Sequence, residues 1–378
     1  MAKVWIALPL LLAACVDAEP VTAPGEPLPP VVGVLPPDEG RPVLPTGYAA
    51  ETVTAELVDP RAVAFDDQGA AHVLEGQPAR LSRVSDGVLV PVATGGGNGP
   101  WTGVARVDGR FYVAEAGGAL GGRVLRVEPH GALVPVVSDL PAGGLLGPLV
   151  AGPDGALYAG VSTAQAAGGG ADIPCQDIRL QDGRRVSGQV PCTGAVLRIQ
   201  PASGEVEVHS WGYTNPVALA FTPEGRLLVA DDVPRQVANL AGPEPGDILW
   251  RAEAGVWFGW PDYAGQVASA DPHLAVHPNP PPPVATLGGD VRALAIPGHD
   301  AFGGPLQAFT AREDGAIAFT TLGSGVTVPF AANLERPTGL AFDPGDGSLW
   351  VADAGSGLLW RIVAFPGAES SIQGRNVP

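Results

Sequence analysis

One phrase recurs along this chain and constrains its fold more than any other feature. Residues 336–353 read RPTGLAFDPGDGSLWVAD, and residues 215–231 read NPVALAFTPEGRLLVAD. Both copies have a small-apolar strand, a turn of Pro, Asp and Gly, and a second apolar strand that ends on an acid. Weaker copies begin at Asp59, Thr102 and Gly147, and a worn one begins near Asp290. Because repeats on this scale indicate an array of similar units, the six copies predict an all-β, six-bladed β-propeller.

The segments that flank the repeats predict how the ring closes. Residues 48–57 (YAAETVTAEL) alternate like a strand and precede the first full repeat. We expect this N-terminal strand to complete the final blade, which would remove the open edge of the ring. The propeller is therefore placed at residues 47–366, followed by a C-terminal tail at 367–378.

Two repeats carry long insertions, which in compact domains are usually functional or disordered. Residues 163–190 are Gly-rich and polar. Residues 233–287 contain GDILWRAEAGVWFGWPDYAG and a run of four prolines. The aromatic side chains of this second insertion predict a roof over a site. They are Trp257, Phe258, Trp260 and Tyr263.

The N-terminus has the form of a targeting segment. Lys3 precedes an apolar run at residues 4–13, which is too short to span a bilayer. The sequence LAAC that ends at Cys15 matches the bacterial lipobox, so residues 1–14 are predicted to be a lipoprotein signal peptide and Cys15 to be lipidated. An ordinary signal peptide cut nearby is the alternative. A lipid anchor implies the periplasmic side of a bacterial cell envelope, and Val16 after the Cys favours the outer membrane.

Residues 15–46 are predicted to be the lipidated Cys and a tether. Nine prolines fall within residues 16–46, without apolar periodicity. At about 3.1 Å per residue in a polyproline-like conformation, such a tether reaches roughly 90 Å.

The charge of the chain limits its partners. The formal net charge is −18, although only 16% of the residues are charged. Phosphate binding needs basic patches, so nucleic acid and anionic membrane surfaces are disfavoured, and membrane contact is expected only through the lipid anchor. The remaining candidates are a small sugar-like ligand or an envelope protein, with the chain itself a monomer.

Two cysteines remain after the lipobox, Cys175 and Cys192. In an exported protein such a pair is most simply one disulfide. In the chain-entropy model, this disulfide would stabilise the folded state by on the order of 3 kcal/mol. Two cysteines at this spacing without a nearby His make a poor zinc site.

The propeller topology sorts the candidate site residues, because loops that enter inner strands and loops that leave second strands share one face. The starts of the inner strands fall at Arg61, Trp101, Pro148, Thr214–Asn215, Arg292 and Arg336. The ends of the second strands fall at Glu75, Glu115, Ser162, Asp231, Arg312 and Asp353. Four acids recur at the second-strand ends. Two readings stay open: carboxylates that accept backbone N–H bonds, or a shared polar pocket that holds Ca²⁺.

The histidines do not form a convincing site. His273 and His277 have the spacing of a helical metal pair, but flanking prolines favour a solvated loop. His72 and His209 lie within strand patterns. No G-x-S-x-G or phosphate-binding loop is present.

Four segments together resemble the glucose/sorbosone dehydrogenase-like propellers, which include quinoprotein sugar dehydrogenases. The segments are GYTNPVALAFTPEGRLLVADD at 212–232, GDILWRAEAGVWFGWPDYAG at 246–265, GPDGALY at 152–158 and the closing blade at 336–362. The resemblance covers roughly residues 45–365. It implies oxidation of a sugar by a His base, with hydride transfer to pyrroloquinoline quinone (PQQ) beside calcium.

Some positions of the family pattern are kept. Asn215 matches the family's Asn, Arg336 fits one position of the basic clamp, and Arg312 stands where a Lys is expected. The resemblance therefore implies that these three would contact the cofactor. Asp247 is kept from the calcium-linked motif, and Asp231 is the second candidate metal ligand.

Other positions depart from the pattern. Gly144 stands where the catalytic His is expected, Thr214 replaces an Arg, Ile248 replaces a Glu, and Thr338 replaces a second Arg. General base catalysis is typically worth 10²–10⁴ in rate, and glycine cannot supply it. No catalytic residue is therefore assigned.

Three hypotheses follow, and enzyme status stays open among them. The first is a propeller of this kind that binds a ligand or partner without the family's chemistry. The second is an active PQQ-dependent sugar dehydrogenase with a rearranged site. The third is a metal-dependent, lactonase-like hydrolase that uses Asn215, Asp231 and an acid such as Glu115.

Overall fold

The computed structural model describes residues 31–32, 40–118, 121–141, 145–164, 166, 172–175, 178–179, 185–186, 190–234, 242, 246–269 and 279–368. Within these ranges the structure is built from strands, and the helical elements are two 3-10 turns, Pro129–Gly131 and Asp300–Phe302. None of the helical segments in these ranges is long and apolar enough to cross a membrane.

The first two blades are antiparallel sheets, of five strands in blade 1 and four in blade 2. The first described strands, β1 (Val31–Val32) and β2 (Tyr48–Thr54), join different blades. Blade 1 contains β3 (Pro60–Phe65), β4 (Ala71–Glu75), β5 (Arg80–Ser85) and β6 (Val88–Thr94), with β1 paired to β6. Blade 2 contains β7 (Trp101–Val107), β8 (Arg110–Gly118), β9 (Gly121–Val127) and β10 (Leu133–Leu140).

Blades 3 and 4 each carry an insertion with its own short strand pair. Blade 3 runs through β11 (Leu146–Ala151) and β12 (Leu157–Val161), then the inserted pair β13 (Ile178–Arg179) and β14 (Arg185–Val186), then β15 (Ala195–Ile199) and β16 (Val206–Trp211). Blade 4 runs through β17 (Pro216–Phe221), β18 (Leu227–Asp231) and β19 (Ile248–Ala252), then the inserted pair β20 (Tyr263–Ala264) and β21 (Val267–Ala268), then β22 (Ala285–Thr286).

The last two blades complete the ring. Blade 5 contains β23 (Val291–Ala295), β24 (Gln307–Arg312), β25 (Ile317–Thr321) and β26 (Thr327–Ala331). Blade 6 contains β27 (Pro337–Phe342), β28 (Leu349–Asp353) and β29 (Leu358–Ala364), with β2 as its outer strand. The innermost strands β3, β7, β11, β17, β23 and β27 contact one another in that order, and β27 contacts β3. The predicted six-bladed propeller is therefore confirmed.

The N-terminal strand closes the ring as predicted. β2 pairs with β29 in antiparallel register, from Tyr48 opposite Ala364 to Thr54 opposite Leu359. The packed part of the chain begins ahead of the predicted boundary at residue 47. Val43 exchanges two backbone hydrogen bonds with Ala332 at blade 5. The last residues assigned to the tether thus lie against the propeller; residues 15–30 and 33–39 lie outside the described part of the chain.

The hydrophobic core is divided among the six interfaces between blades. The described residues form six buried clusters, and each combines apolar side chains from two neighbouring blades. Leu359 on blade 6, for example, packs in one cluster with Val73 on blade 1. Each repeat therefore buries its apolar faces only against its neighbours, which is why the ring must close to protect every face.

The blade 3 insertion is held by the predicted disulfide. Cys175 and Cys192 are bonded to each other, and both are buried. Beside them, the Thr193 N–H donates to the Ile173 carbonyl oxygen, and the Ile173 N–H donates to the Thr193 hydroxyl oxygen. The disulfide therefore joins the two ends of the insertion next to the blade 3 core.

Candidate functional site

A cavity of about 290 Å³ lies on the axis of the propeller. All six innermost strands contribute to its wall. Its polar side chains are few, and each of the six blades supplies one of them. They are Arg61, Thr102, Ser162, Asn215, Arg292 and Thr338. This volume is near the lower end of the range for small-molecule pockets.

A β-bulge at the start of every innermost strand shapes the wall of the cavity. The register with the second strand slips between Pro60 and Ala62 in blade 1, and at the corresponding place in the other five blades. Bulges re-aim the side chain of the extra residue. The residues set apart by the slips include Arg61, Thr102, Arg292 and Thr338, and these four line the cavity.

The residue after the bulge is small where neighbouring strands come closest. A Cβ on Gly103 would lie 2.4 Å from the Leu149 backbone nitrogen, and one on Gly339 would lie 3.0 Å from the Ala62 Cα. The first separation is shorter than real Cβ contacts allow. The small-apolar character of the repeated phrase therefore reflects the convergence of the strands on the axis.

A chain of polar contacts crosses one side of the cavity from blade 3 to blade 5. The Ser162 hydroxyl donates to the Asn215 side-chain oxygen, and Asn215 Nδ2 donates to Asp232 at 3.1 Å. Arg292 lies 3.5 Å from the same Asp232 oxygen and donates through Nε to Glu313 at 2.8 Å. Asn215 and Arg292 are thus connected through one carboxylate.

Two threonines of the wall bond to the next blade. Thr102 Oγ1 donates to the Gly147 carbonyl oxygen at 3.0 Å, and Thr338 Oγ1 donates to the Pro60 carbonyl oxygen. These hydroxyls link the starts of adjacent innermost strands. They retain lone pairs with which to accept a hydrogen bond from a ligand.

The recurrent acids are buried and hold the loops that lead into the blades. Asp231 accepts from the backbone N–H of Asn215 at 2.7 Å, and Asp353 accepts from the backbone N–H of Glu335 at 3.0 Å. Glu75 accepts from the Val58 N–H and from Arg80. The fourth acid, Glu115, is bound by side chains of blade 2 and its preceding loop. Acceptance of backbone N–H bonds therefore describes Glu75, Asp231 and Asp353, whereas Glu115 is held by side chains.

Asp247 ties blade 4 to blade 5. Its carboxylate accepts from the Val291 N–H at 2.8 Å and from the Val233 N–H at 3.2 Å. Burial raises the pKa of Asp247 to about 7; the charges of Asp232 and Asp290 raise it further, against the effect of the two N–H donors. The carboxylate therefore fixes the start of β23, next to Arg292 in the cavity wall.

This raised pKa predicts a pH dependence of stability. Between about pH 4 and 7 the folded state holds a proton on Asp247 that the unfolded chain releases, so stability falls as the pH rises through this window. We expect Asp247→Asn to flatten that fall. Thermal unfolding of both proteins at pH 4.5, 6 and 8 checks it; parallel curves would contradict it. Asp231, with a pKa raised by burial to about 6, contributes in the same direction in both proteins.

Of the three predicted cofactor contacts, Asn215 lines the cavity and the two arginines do not. Arg312 pairs with Asp314, and its guanidinium covers Gly288, where a Cβ would lie 2.6 Å from Nη1. Arg336 is exposed, and its backbone N–H donates to Asp353. Both arginines lie on the face of the cavity mouth, but outside its wall.

The predicted aromatic roof lies elsewhere. Trp257 bridges to Trp211 at the outer strand of blade 3, and Phe258 stacks on Tyr213 with ring centroids 4.8 Å apart. Phe258 also packs edge-on against Trp250 at 5.3 Å. Trp257 and Phe258 therefore pack at the interface between blades 3 and 4, and the aromatic side chains predicted to form the roof are not part of the cavity wall.

His72 and His209 pack against aromatic side chains within the propeller. His72 is buried against Phe111, with ring centroids 4.5 Å apart, and His209 packs edge-on against Tyr158 at 5.3 Å. Burial lowers the pKa of both imidazoles, which keeps them neutral at pH 7. His273, His277 and Gly144 lie outside the described residues.

The described residues of the cavity wall do not fit a quinone cofactor that carries carboxylates. Such a cofactor needs cationic donors, yet both arginines of the wall are already paired with acids of this chain: Arg61 with Asp59, and Arg292 with Glu313. Across the described ranges, no group of three His, Cys, Asp or Glu is placed to hold a metal. Calcium binding at Asp231 and Asp247 stays a prediction.

Solved structures share this fold at low sequence identity. One is the PQQ-bound aldose sugar dehydrogenase of Streptomyces coelicolor, with a TM-score of 0.58, 19% identity and coverage of 85% of this chain and 100% of that one. Another is the PQQ domain of pyranose dehydrogenase from Coprinopsis cinerea, with a TM-score of 0.59, 13% identity and coverage of 86% and 98%. A gluconolactonase from Xanthomonas campestris gives a TM-score of 0.56, 14% identity and coverage of 85% and 91%.

The sequence comparisons add no assignment. No protein-family model matches the chain, and no curated protein matches it. The resemblance drawn from the sequence is therefore confirmed as a shared propeller fold with divergent sequence. Because the fold is common to dehydrogenases and to a lactonase, the activity has to be argued from the cavity itself.

Proposed function

We propose that this propeller is a binding module of the bacterial cell envelope that takes a small sugar-like molecule in its central cavity without oxidising it. One observation carries the proposal. The described residues that line the cavity include no His, Asp, Glu, Lys, Tyr or Cys that could act as a base; the polar ones are Arg, Thr, Ser and Asn. Sugar oxidation and lactone hydrolysis both rely on a positioned base.

The polar groups of the wall suit hydroxyl recognition. Arginine and asparagine N–H groups donate, while threonine and serine oxygens accept. The apolar remainder of the wall, from residues such as Val217 and Leu294, suits the C–H faces of a sugar ring. A pocket with few convergent polar groups in an apolar wall is typical of small-molecule sites.

The dehydrogenase hypothesis rests on the fold shared with PQQ-bound enzymes. It needs a base and a cationic clamp at the cavity, and the wall supplies two arginines that are already paired with acids. The lactonase hypothesis needs open carboxylates. Asp231 and Glu115 are instead buried and hydrogen-bonded within the protein.

The cellular setting is part of the proposal. The LAAC sequence that ends at Cys15 supports a lipid anchor, with the propeller on the periplasmic side and the outer membrane favoured. The net charge of −18 supports a monomer that contacts neither nucleic acid nor anionic lipid. Globomycin treatment of expressing cells tests the anchor, because it would cause the unprocessed precursor to accumulate.

Calorimetric titration with a panel of neutral mono- and disaccharides tests the binding function. We expect at least one to bind, and Asn215→Ala to weaken it about tenfold, because a well-placed hydrogen bond in a pocket contributes about 1.4 kcal/mol. Asn279→Ala is the matched control, since Asn279 also makes a side-chain hydrogen bond but lies outside the cavity wall. Equal losses in both variants, or no binding across the panel, would contradict the proposal.

A further inference from the structure

The arginines of the cavity wall are held by acids in two-point contacts. Arg61 Nη2 lies 2.8 Å from one Asp59 oxygen and 3.0 Å from the other. Arg292 donates through Nε to Glu313 at 2.8 Å, while its Nη1 lies 3.5 Å from Asp232. Each guanidinium that faces the cavity therefore already has a carboxylate beside it.

The backbone fixes the residues that carry these acids. The Asp232 N–H donates to the Asn215 carbonyl oxygen, and the Glu313 N–H donates to the Asp290 carbonyl oxygen, both at 2.9 Å. The Asp59 carbonyl oxygen accepts from the Gly76 N–H at 2.9 Å. These bonds fix the backbone of the three acidic residues, so their carboxylates are held close to the arginines.

Gly76 makes room for one of these pairs. A Cβ at Gly76 would lie 2.5 Å from an Asp59 carboxylate oxygen and 3.0 Å from Arg61 Nε. Any residue larger than glycine at position 76 would therefore collide with the Asp59–Arg61 pair. Together with the backbone hydrogen bond of Asp59, this close approach at Gly76 holds Asp59, which lies outside the wall, next to Arg61 in the wall.

The charge of these pairs decides what the arginines can bind. A ligand carboxylate at either guanidinium would come within a few ångströms of a protein carboxylate, and like charges at that distance repel. A hydroxyl has no such cost, because it can donate to the acid and accept from a remaining arginine N–H. Acid–arginine pairs therefore favour uncharged hydroxylated ligands.

We propose that Asp59, Asp232 and Glu313 determine the specificity of the central cavity by occupying its arginines, so that it accepts uncharged polyhydroxylated ligands and rejects those that carry a carboxylate. The inference rests on the proposed function in that it concerns the same cavity. It extends that function by naming residues outside the wall that select the ligand.

The test is a gain of anion binding when the acids lose their charge. In the double variant Asp232→Asn, Glu313→Gln, Arg292 keeps its position but no longer faces carboxylates. We expect D-gluconate to bind the double variant at least about tenfold more tightly than the wild type by calorimetry, and the gain to shrink with added salt. Asp59→Asn is an independent second variant that frees Arg61.

A matched control separates this effect from a general loss of negative charge. Asp154→Asn also removes a carboxylate from an arginine, Arg198, in the turn at the opposite end of the blade 3 strands. It should leave gluconate binding unchanged. Thermal unfolding confirms that each variant is folded, which is expected because Asp232 and Glu313 are partly exposed.

The outcomes are distinct. Wild-type protein that binds gluconate as tightly as the double variant would overturn the specificity proposal, and so would variants that gain no gluconate binding. A gain in the cavity variants but not in Asp154→Asn supports it. If that gain appears while no neutral sugar binds the wild type, the specificity proposal stands and the proposed sugar-binding function fails.

Discussion

Glu115→Ala should lower the free energy of unfolding by about 3–5 kcal/mol, because it leaves a buried guanidinium without its counter-charge. Glu115 is fully buried and accepts hydrogen bonds from Arg123 and from Asn98 Nδ2. The Arg123 side chain is only 7% exposed, so water cannot replace the lost partner. Chemical denaturation monitored by tryptophan fluorescence gives the change.

A double replacement is the control for this prediction. Glu115→Leu combined with Arg123→Met removes both charges and fills a similar volume, so we expect it to recover most of the lost stability. If Glu115→Ala costs less than about 1 kcal/mol, or if the double variant is no more stable than the single one, the ion pair is not the stabilising element of blade 2 that its burial indicates.

Tyr48→Ala should lower the free energy of unfolding by about 3–5 kcal/mol, the usual cost of removing a large aromatic from a core. Tyr48 is the first residue of β2, the strand that closes the ring. Its ring lies 5.1 Å from Phe302 and 5.1 Å from Phe330, and its hydroxyl donates to the Ala301 carbonyl oxygen. The substitution therefore empties the join between blades 5 and 6.

Tyr48→Phe separates packing from hydrogen bonding. It keeps the ring and loses the hydroxyl, so we expect a cost of about 1 kcal/mol. Denaturation midpoints and slopes of both variants give the comparison. If the alanine variant were as stable as the phenylalanine variant, packing of the Tyr48 ring would not stabilise the closed ring of blades.

The repeats made the architecture predictable. A strand, a turn and an acid-ended strand can each be read from local sequence, and their sixfold recurrence leaves few alternatives. The same reading placed Arg61, Asn215 and Arg292 on the face of the cavity, and the structure brings all three into the wall. Positions set by a repeat are therefore recoverable from sequence even where side-chain roles are not.

The bulges and the acid partners were not predictable. A bulge is a slip in register between two strands, and no feature of the blade 1 sequence indicates the slip around Arg61. The contact between Arg292 and Asp232 joins two residues that are far apart in sequence and lie on neighbouring blades. The signal that could have indicated it is the acid directly after Asp231 and the acid directly after Arg312, which occupy equivalent positions in blades 4 and 5.

The aromatic insertion shows why long loops resist prediction. Its aromatic residues indicated that the insertion packs against another part of the protein, but not which part. The Phe258 N–H donates to the Trp211 carbonyl oxygen at 2.7 Å, and the Trp260 N–H donates to Gly212 at 2.8 Å, so the segment follows the edge of blade 3. Gly212 permits that approach, since a Cβ there would lie 2.5 Å from the Trp257 ring.

Titration of the purified wild-type protein with PQQ in the presence of Ca²⁺ tests the central claim most directly. If the acid-paired arginines make the cavity a binding site for uncharged ligands, calorimetry will show no stoichiometric uptake of the quinone, and the mixture will not reduce dye when aldoses are added. Uptake of one quinone per chain with aldose-dependent dye reduction would contradict the account and establish the protein as an active dehydrogenase.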